Sequence, residues 1–281
     1  MTRSTLIRYG AYPVVFGGAL LAVLWLCEHG VAAWPALALV ALLGIAAVAT
    51  LERLQPFEPI WLEDHDDTGA DRIHLIVNLA LLSGTAVGLH LLRGVLPHLD
   101  IWPQDWPIWG QVLLAGVIID LGLYVMHRLS HRVDVLWRLH AAHHSAERLY
   151  WMNGERRHPL SALVLAAPGL AVVVGLGASP LVVSAWLTLL SVHLAFQHAN
   201  LDYTVGPLRY VLGVAEMHRG HHKRDYEDAQ VNFGEFWLVW DWLFGTYLHR
   251  QVPIQPGQVG LRDPTFPTDY WKQLGWPFRR E

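Results

Sequence analysis

The chain has one cysteine in 281 residues, Cys27, and it lies inside an apolar run. An intramolecular disulfide is therefore impossible, and iron–sulfur clusters and thiolate zinc sites are excluded. Charge is also scarce. Asp, Glu, Lys and Arg make up 16% of the residues, where an ordinary soluble domain has about 25%. The net charge of −4 gives no reason to expect a nucleic-acid partner. What fills the chain is apolar: 53% of residues are hydrophobic, and 14 Trp and 9 Tyr suit the aromatic belts of a membrane protein. Nothing points to two independent domains.

Four apolar runs read as transmembrane helices, a hydrocarbon core of about 30 Å taking roughly 20 residues. They extend from Tyr12 to Cys27, Trp34 to Leu51, Ile73 to Leu96 and Ile108 to Met126. The first has no convincing small-residue cleavage site and a second span follows at once, so it reads as a transmembrane helix and not as a signal peptide. Two further apolar runs, 160–176 and 181–196, flank a Gly-Ala-Ser-Pro turn and read as a helical hairpin, either two full spans or a shallower pair. Residues 52–72 read as an acidic loop, and 97–107, with three prolines, as an interfacial turn. The expected architecture is all-α: about four transmembrane helices, a helical hairpin and a helical cap.

Basic residues orient it. With four spans before His127, the amino terminus, the 52–72 loop, the 127–158 segment and everything after residue 200 share one side. All 20 Lys and Arg fall there except Arg93, which lies inside the third span. By the positive-inside rule that side is the cytoplasm.

On that side lie three histidine clusters: His127 and His131, then His140, His143 and His144, then His218, His221 and His222. These are eight of 17 histidines. Residues three and four apart share a helix face, so HxxxH sets two imidazoles side by side and HxxHH three. Eight imidazoles are too many for one ion and suit two. A lone histidine is more often a satisfied polar residue than a ligand, but two HxxHH triplets beside an HxxxH, all at membrane boundaries, point to a two-metal site. His198, at the end of the hairpin, is the natural ninth ligand. Imidazole accepts Fe, Zn, Cu and Ni. A redox metal such as iron would activate O2 for attack on an unactivated C–H bond, and the helices beneath would form an apolar slot for a lipid chain.

Other residues have more than one reading each. Asp120, Tyr124, His127 and His131 lie on one helical stripe. An acid inside a span is costly unless paired or functional. Asp120 therefore either orients ligands through hydrogen bonds or holds a neighbouring helix. His158 reads as a supporting group or a substrate contact, with metal ligation as the third alternative; His193 is a candidate supporting group that lies about 140° around a helix from His198, which is preferred as the ligand of the two. Glu147, Glu216, Asp225 and Asp241 lie near the clusters, and for each a solvated surface acid is the preferred reading. His65, His74, His90, His98 and His249 read as structural, and His29 lies on the far side.

The motifs HRLSH at 127–131, HAAHH at 140–144, Arg-Arg-His-Pro-Leu at 156–160, His-Ala-Asn at 198–200, HRGHH at 218–222 and Trp-Asp-Trp-Leu-Phe-Gly-Thr at 240–246 come in an order that resembles the fatty acid hydroxylase / sterol desaturase superfamily. The stretch His144-Ser-Ala-Glu-Arg with Asn153 is similar to bacterial members. One departure is Ser161, where many members carry an acid. The resemblance implies a catalytic domain over 108–250, after N-terminal helices at 1–107 and before a tail at 251–281. It implies two irons, O2 as co-substrate, a lipid substrate and an external electron donor (reductase, ferredoxin or cytochrome), in a bacterial inner membrane. Zinc would also be accepted by the ligands in a purified sample. Hydroxylation is the expected reaction, with desaturation on the same site as the alternative. The basic face of Arg128, Arg132, Arg138, Arg148, Arg219, Lys223 and Arg224 would suit an acidic carrier, although the positive-inside bias accounts for most of it.

Two other classes fit the residues less well. A metal transporter needs ligands at the bilayer midplane and on both faces, whereas these clusters lie on one side. A non-enzymatic lipid-binding member would have lost ligands, and all eight are present.

Overall fold

A computed structural model describes residues 2–31, 34–249 and 254–279. Among these the fold is all-α, with isolated β-bridges and no strand. The long helices are α1 (Arg3–Glu28), α2 (Trp34–Leu54), α3 (Thr68–Leu92), α4 (Ile108–Ser130), α6 (Pro159–Gly175) and α7 (Pro180–His198). Five are long and apolar enough to span a membrane; α6, at 17 residues, is slightly short. At 1.5 Å per residue α6 reaches about 26 Å, just under a bilayer core. The cap is made of α5 (Asp134–His144), the short helices α8 (Ala215–His218), α9 (Val239–Phe244) and α10 (Tyr270–Gly275), and turns.

The first helix begins nine residues earlier than its apolar run. The Thr2 hydroxyl accepts from the Thr5 amide and caps it. Helix α7 is the axis of the bundle: it is buried almost throughout and packs against α1, α2, α3 and α4. By contrast α1, α2, α3 and α4 expose residues such as Leu21, Leu43, Ile76 and Val117 outward, as helices facing lipid do. Close approach at two places requires glycine. A Cβ on Gly169 would lie 2.7 Å from the Ile119 Cα, and one on Gly122 would lie 2.7 Å from the Gly169 amide nitrogen. Small residues thus let α4 and α6 cross in backbone contact.

One end of the bundle collects four element ends. The Arg8 side chain meets Asp202, Gln55 donates to the Ser4 and Asp202 carbonyls, and the Glu52 carboxylate accepts from the amides of Trp151 and Asn200. The last turns of α4 and α7 lie at this end with the cap. At the other end the 97–107 turn meets the α6–α7 turn, where Leu99 donates to the Gly175 carbonyl.

The 52–72 segment corrects a sequence expectation. The loop is shorter than expected, since α2 runs to Leu54 and α3 starts at Thr68, and the segment's acids Glu52, Asp67 and Asp71 are buried. Arg148 forks onto Asp67, while Arg156 and the Tyr150 hydroxyl both reach Asp71. The acids were drawn inside by cations some 80 residues away, which local composition does not reveal. The same burial removes Arg148, and Arg219 stacked over Phe57, from the surface offered to a carrier. The tail also docks: Gln273 of α10 bonds His74 of α3.

Candidate metal centre

The nine histidines at 127, 131, 140, 143, 144, 198, 218, 221 and 222 are all buried and converge into two sets. His127, His131, His140, His144 and His221 form one; His143, His198, His218 and His222 form the other, with ligand atoms within 4.8 Å of one another in each. The sets touch where the His144 and His222 rings stack at 4.6 Å.

Helical spacing explains who sits where. Pairs four apart stay together: His127 with His131, His140 with His144, His218 with His222. The odd member of each triplet crosses over. His143 joins the His218 pair, and His221 joins the His127 and His140 pairs. The triplets therefore do not each present three rings to one ion, as equal facing would suggest; His143 is turned about 100° from His144. The second triplet is not fully helical either. Helix α8 ends at His218, and His221 and His222 sit on the turns that follow.

Carbonyls fix four of the rings. The Nδ1 atoms of His127, His143, His198 and His221 lie 2.8, 3.3, 2.9 and 2.9 Å from the carbonyl oxygens of Phe233, Arg156, Leu194 and Val231. A carbonyl only accepts, so each Nδ1 carries the proton and each Nε2 is bare. Yet the Nε2 atoms of His127 and His221 are 2.9 Å apart, and those of His143 and His198 are 3.4 Å apart. Lone pair faces lone pair, so neither contact is a hydrogen bond, and a cation between them removes the repulsion. The other Nε2 contacts, His131–His144, His140–His144, His198–His218 and His218–His222, are 3.0–3.2 Å. Nitrogens about 2.1 Å from one ion stand about 3.0–3.4 Å apart in octahedral or tetrahedral geometry. The residues fit two metal ions. Burial, and after it the neighbouring rings, holds the imidazoles of His140, His143, His144, His218 and His222 well below their usual pKa, which keeps them neutral and ready to ligate.

The carbonyls are themselves held in place. Asn232, at φ 53°, turns the chain so that Val231 and Phe233 on either side both face imidazoles. Its side chain bonds the Met217 and Leu248 carbonyls and the Leu248 amide. A side chain on Gly234 would strike the Trp237 carbonyl. Asp241 accepts from the amides of Phe233 and Gly234 and from the Thr246 hydroxyl. This corrects its reading as a surface acid: it is fully buried, because three donors on the 232–246 segment require an acceptor. Glu147 and Asp225 are exposed and Glu216 partly so.

Asp120 accepts from the amides of Phe236 and Trp237 and from the Trp240 indole. Among the described residues its hydrogen bonds go to neither an imidazole nor another span; it anchors the segment whose Phe233 carbonyl holds His127. Tyr124 bonds Thr246. His158 and His193 lie outside both sets. His158 caps α6 by accepting from the Leu160 amide and pairs with the Leu274 carbonyl. His193 bonds the Tyr12 hydroxyl and the Gly213 carbonyl.

Glu235 was missed by sequence reasoning, although an acid between aromatic residues in Phe-Gly-Glu-Phe-Trp is a usable signal. It is buried, pairs with Arg157 at 2.9 Å and lies 3.5 Å from the His127 Nδ1. It also lines an apolar slot of about 210 Å³ between α3, α4, α6 and α7, walled by Leu82, Leu123, Ala166 and Leu190 among others. The slot reaches Gly154, whose Cβ position is 3.4 Å from the His198 Nδ1. Its polar end thus neighbours a ring of each set. A second, polar cavity of about 560 Å³, with Arg138, Lys223, Arg224 and Asp263 in its wall, reaches His144 past Trp137 and Tyr226.

Sequence comparison with known proteins identifies relatives. A model of the fatty acid hydroxylase family matches residues 112–246. An ornithine lipid hydroxylase, OlsE, of Rhizobium tropici is 33% identical over 247 residues, 84% of this chain and 74% of its own length. An alkylglycerol monooxygenase of Danio rerio is 28% identical over 60% of this chain, which spans only 36% of that protein. Methylsterol monooxygenase 1 of Rattus norvegicus is 26% identical over 62% of this chain and 58% of its own length. No solved structure matches. With the matched segment containing every histidine of both sets, the chain belongs to the fatty acid hydroxylase family, membrane oxidoreductases that oxygenate lipids.

Proposed function

We propose that the protein is a di-iron hydroxylase that takes a membrane lipid from the bilayer and places one oxygen atom of O2 in a C–H bond at the inner end of the slot. The observation that carries this is adjacency: an apolar slot between membrane helices ends beside His127 and His198, one from each imidazole set. Iron held by the nine histidines would supply the redox chemistry that activates O2. The chain's own residues do the rest. Leucines and alanines of α3, α4, α6 and α7 bind the apolar part of the lipid and exclude water. Neutral, tautomer-fixed imidazoles keep the ligand geometry constant.

The balance requires two electrons and two protons for each O2, with one oxygen leaving as water. A separate reductase, ferredoxin or cytochrome supplies the electrons. The polar cavity is where we place its approach, because Trp137 stands 5.1 Å from the His131 ring and 5.5 Å from the His144 ring, centroid to centroid. The relatives act, by name, on an ornithine lipid, alkylglycerols and methylsterols. We read the substrate here as a membrane lipid with an apolar portion that fits the slot. We place the site on the cytoplasmic side of a bacterial inner membrane, supported by the order of spans along the sequence, which puts every Lys and Arg except Arg93 on the side of the histidine clusters.

The test is comparative lipidomics on membranes from cells with and without the protein, grown in labelled O2. A lipid that gains one labelled oxygen only when the protein is present is the expected result. A lipid that loses two hydrogens without label would make the enzyme a desaturase.

A further inference from the structure

Two buried acceptors at the polar end of the slot have no donor. One is the Asn78 Oδ1 and the other the Glu235 Oε1. Both residues line the slot, and they are 4% and 1% exposed. Their orientations are fixed. The Asn78 Nδ2 donates to the carbonyls of Glu155 and Arg157, each at 2.8 Å, which settles which way the amide points. The Glu235 Oε2 accepts from Arg157 at 2.9 Å. The Glu235 Oε1 lies 3.5 Å from the His127 Nδ1, but that proton is given to the Phe233 carbonyl at 2.8 Å. Buried acceptors are nearly always satisfied, because a donor lost from water must be replaced. The polar groups beside them are spent elsewhere: Arg157 donates its Nε to the Gly154 carbonyl and its Nη2 to the other Glu235 oxygen, and the Thr85 and Ser191 hydroxyls donate to carbonyls of their own helices. Most of the remaining wall is hydrocarbon, so the missing donors come from whatever enters.

We propose that Glu235 and Asn78 are positioning residues that receive hydrogen bonds from an N–H or O–H group on the lipid. The substrate then carries a hydroxyl or a secondary amide close to the carbon that reacts. A lipid whose polar junction offers only ester or ether oxygens would present acceptors to acceptors and is discriminated against. Oxidation therefore falls near the polar junction of the lipid and not on a remote tail methylene. This inference rests on the reading of the slot as the lipid site.

The test uses the full-length, metal-loaded protein in detergent micelles and two matched probe pairs. One pair is N-palmitoylglycine and its ester isostere, palmitoyl glycolate; the other is hexadecanol and its methyl ether. Dissociation constants are read from ligand-induced thermal stabilisation. The donor-bearing member of at least one pair is expected to bind about tenfold tighter or more, as befits a hydrogen bond to a charged acceptor. Which pair shows it tells amide from hydroxyl. In Glu235→Gln the side-chain oxygen must face Arg157, which turns the amide N–H toward the slot. The preference then falls to parity or reverses toward the ester or ether, with metal content unchanged. Equal affinity within both pairs for the wild type would mean that water serves the two acceptors and would overturn the inference alone. Preference unchanged in Glu235→Gln would also overturn it. Failure of all four probes to bind would overturn the lipid slot with it.

Discussion

Four of the nine imidazoles are held by main-chain carbonyls, which fix the nitrogen each offers. His143 and His221 matter most, because each crosses from its own triplet into the other set. Replacing either with alanine is expected to lower bound metal and reduce turnover at least 100-fold, while the protein still inserts in the membrane. Metal analysis and product assay on the purified variants check this. Asp120 acts at one remove. Its loss leaves two amides and an indole without an acceptor, a cost of about 3 kcal/mol or more. Asp120→Ala should therefore lower the melting temperature clearly and reduce the rate less than a ligand change does. A variant with unaltered melting would contradict that role. The identity of the histidines was legible in the sequence because their spacing is regular. The roles of Asp241 and Glu235 were less so, because the donors and cations they serve lie on turns or on segments far along the chain.

Among the helices, the spans were legible since long apolar runs have few alternatives, and the hairpin turn was marked by Gly177 to Pro180. The centrality of α7 was not, because burial on all sides leaves no polar stripe to read. Nor was the backbone contact between α4 and α6. That crossing also sets the site, since α4 carries His127 and α6 follows the Arg156 and Arg157 segment directly. Gly169→Val would force the two helices apart against the Ile119 backbone. Overpacking of this kind costs about 1–3 kcal/mol or more. Loss of folded protein, or a drop in melting temperature with a widened slot, is expected in detergent; a wild-type melting curve would refute the crossing.

At the scale of the molecule, metal and acidity are linked. The buried imidazoles of His140, His143, His144, His218 and His222 have folded-state pKa values below the unfolded value of about 6.5. Below that pH the unfolded chain takes up protons that the folded chain refuses, so stability rises with pH and falls on acidification. Metal-free protein should lose stability progressively as pH drops below about 6.5, and metal-loaded protein should resist to lower pH and then release its ions. Denaturant titrations at stepped pH check both. Topology is tested separately: a reporter at Gly30 should read outside the cytoplasm and one at Tyr150 inside. The account's central claim is that two imidazole sets hold two ions. Metal stoichiometry on purified wild-type protein tests it most directly. Two iron atoms per chain are predicted, falling in His143→Ala and in His221→Ala. One ion or none in folded, iron-supplied wild-type protein would contradict it.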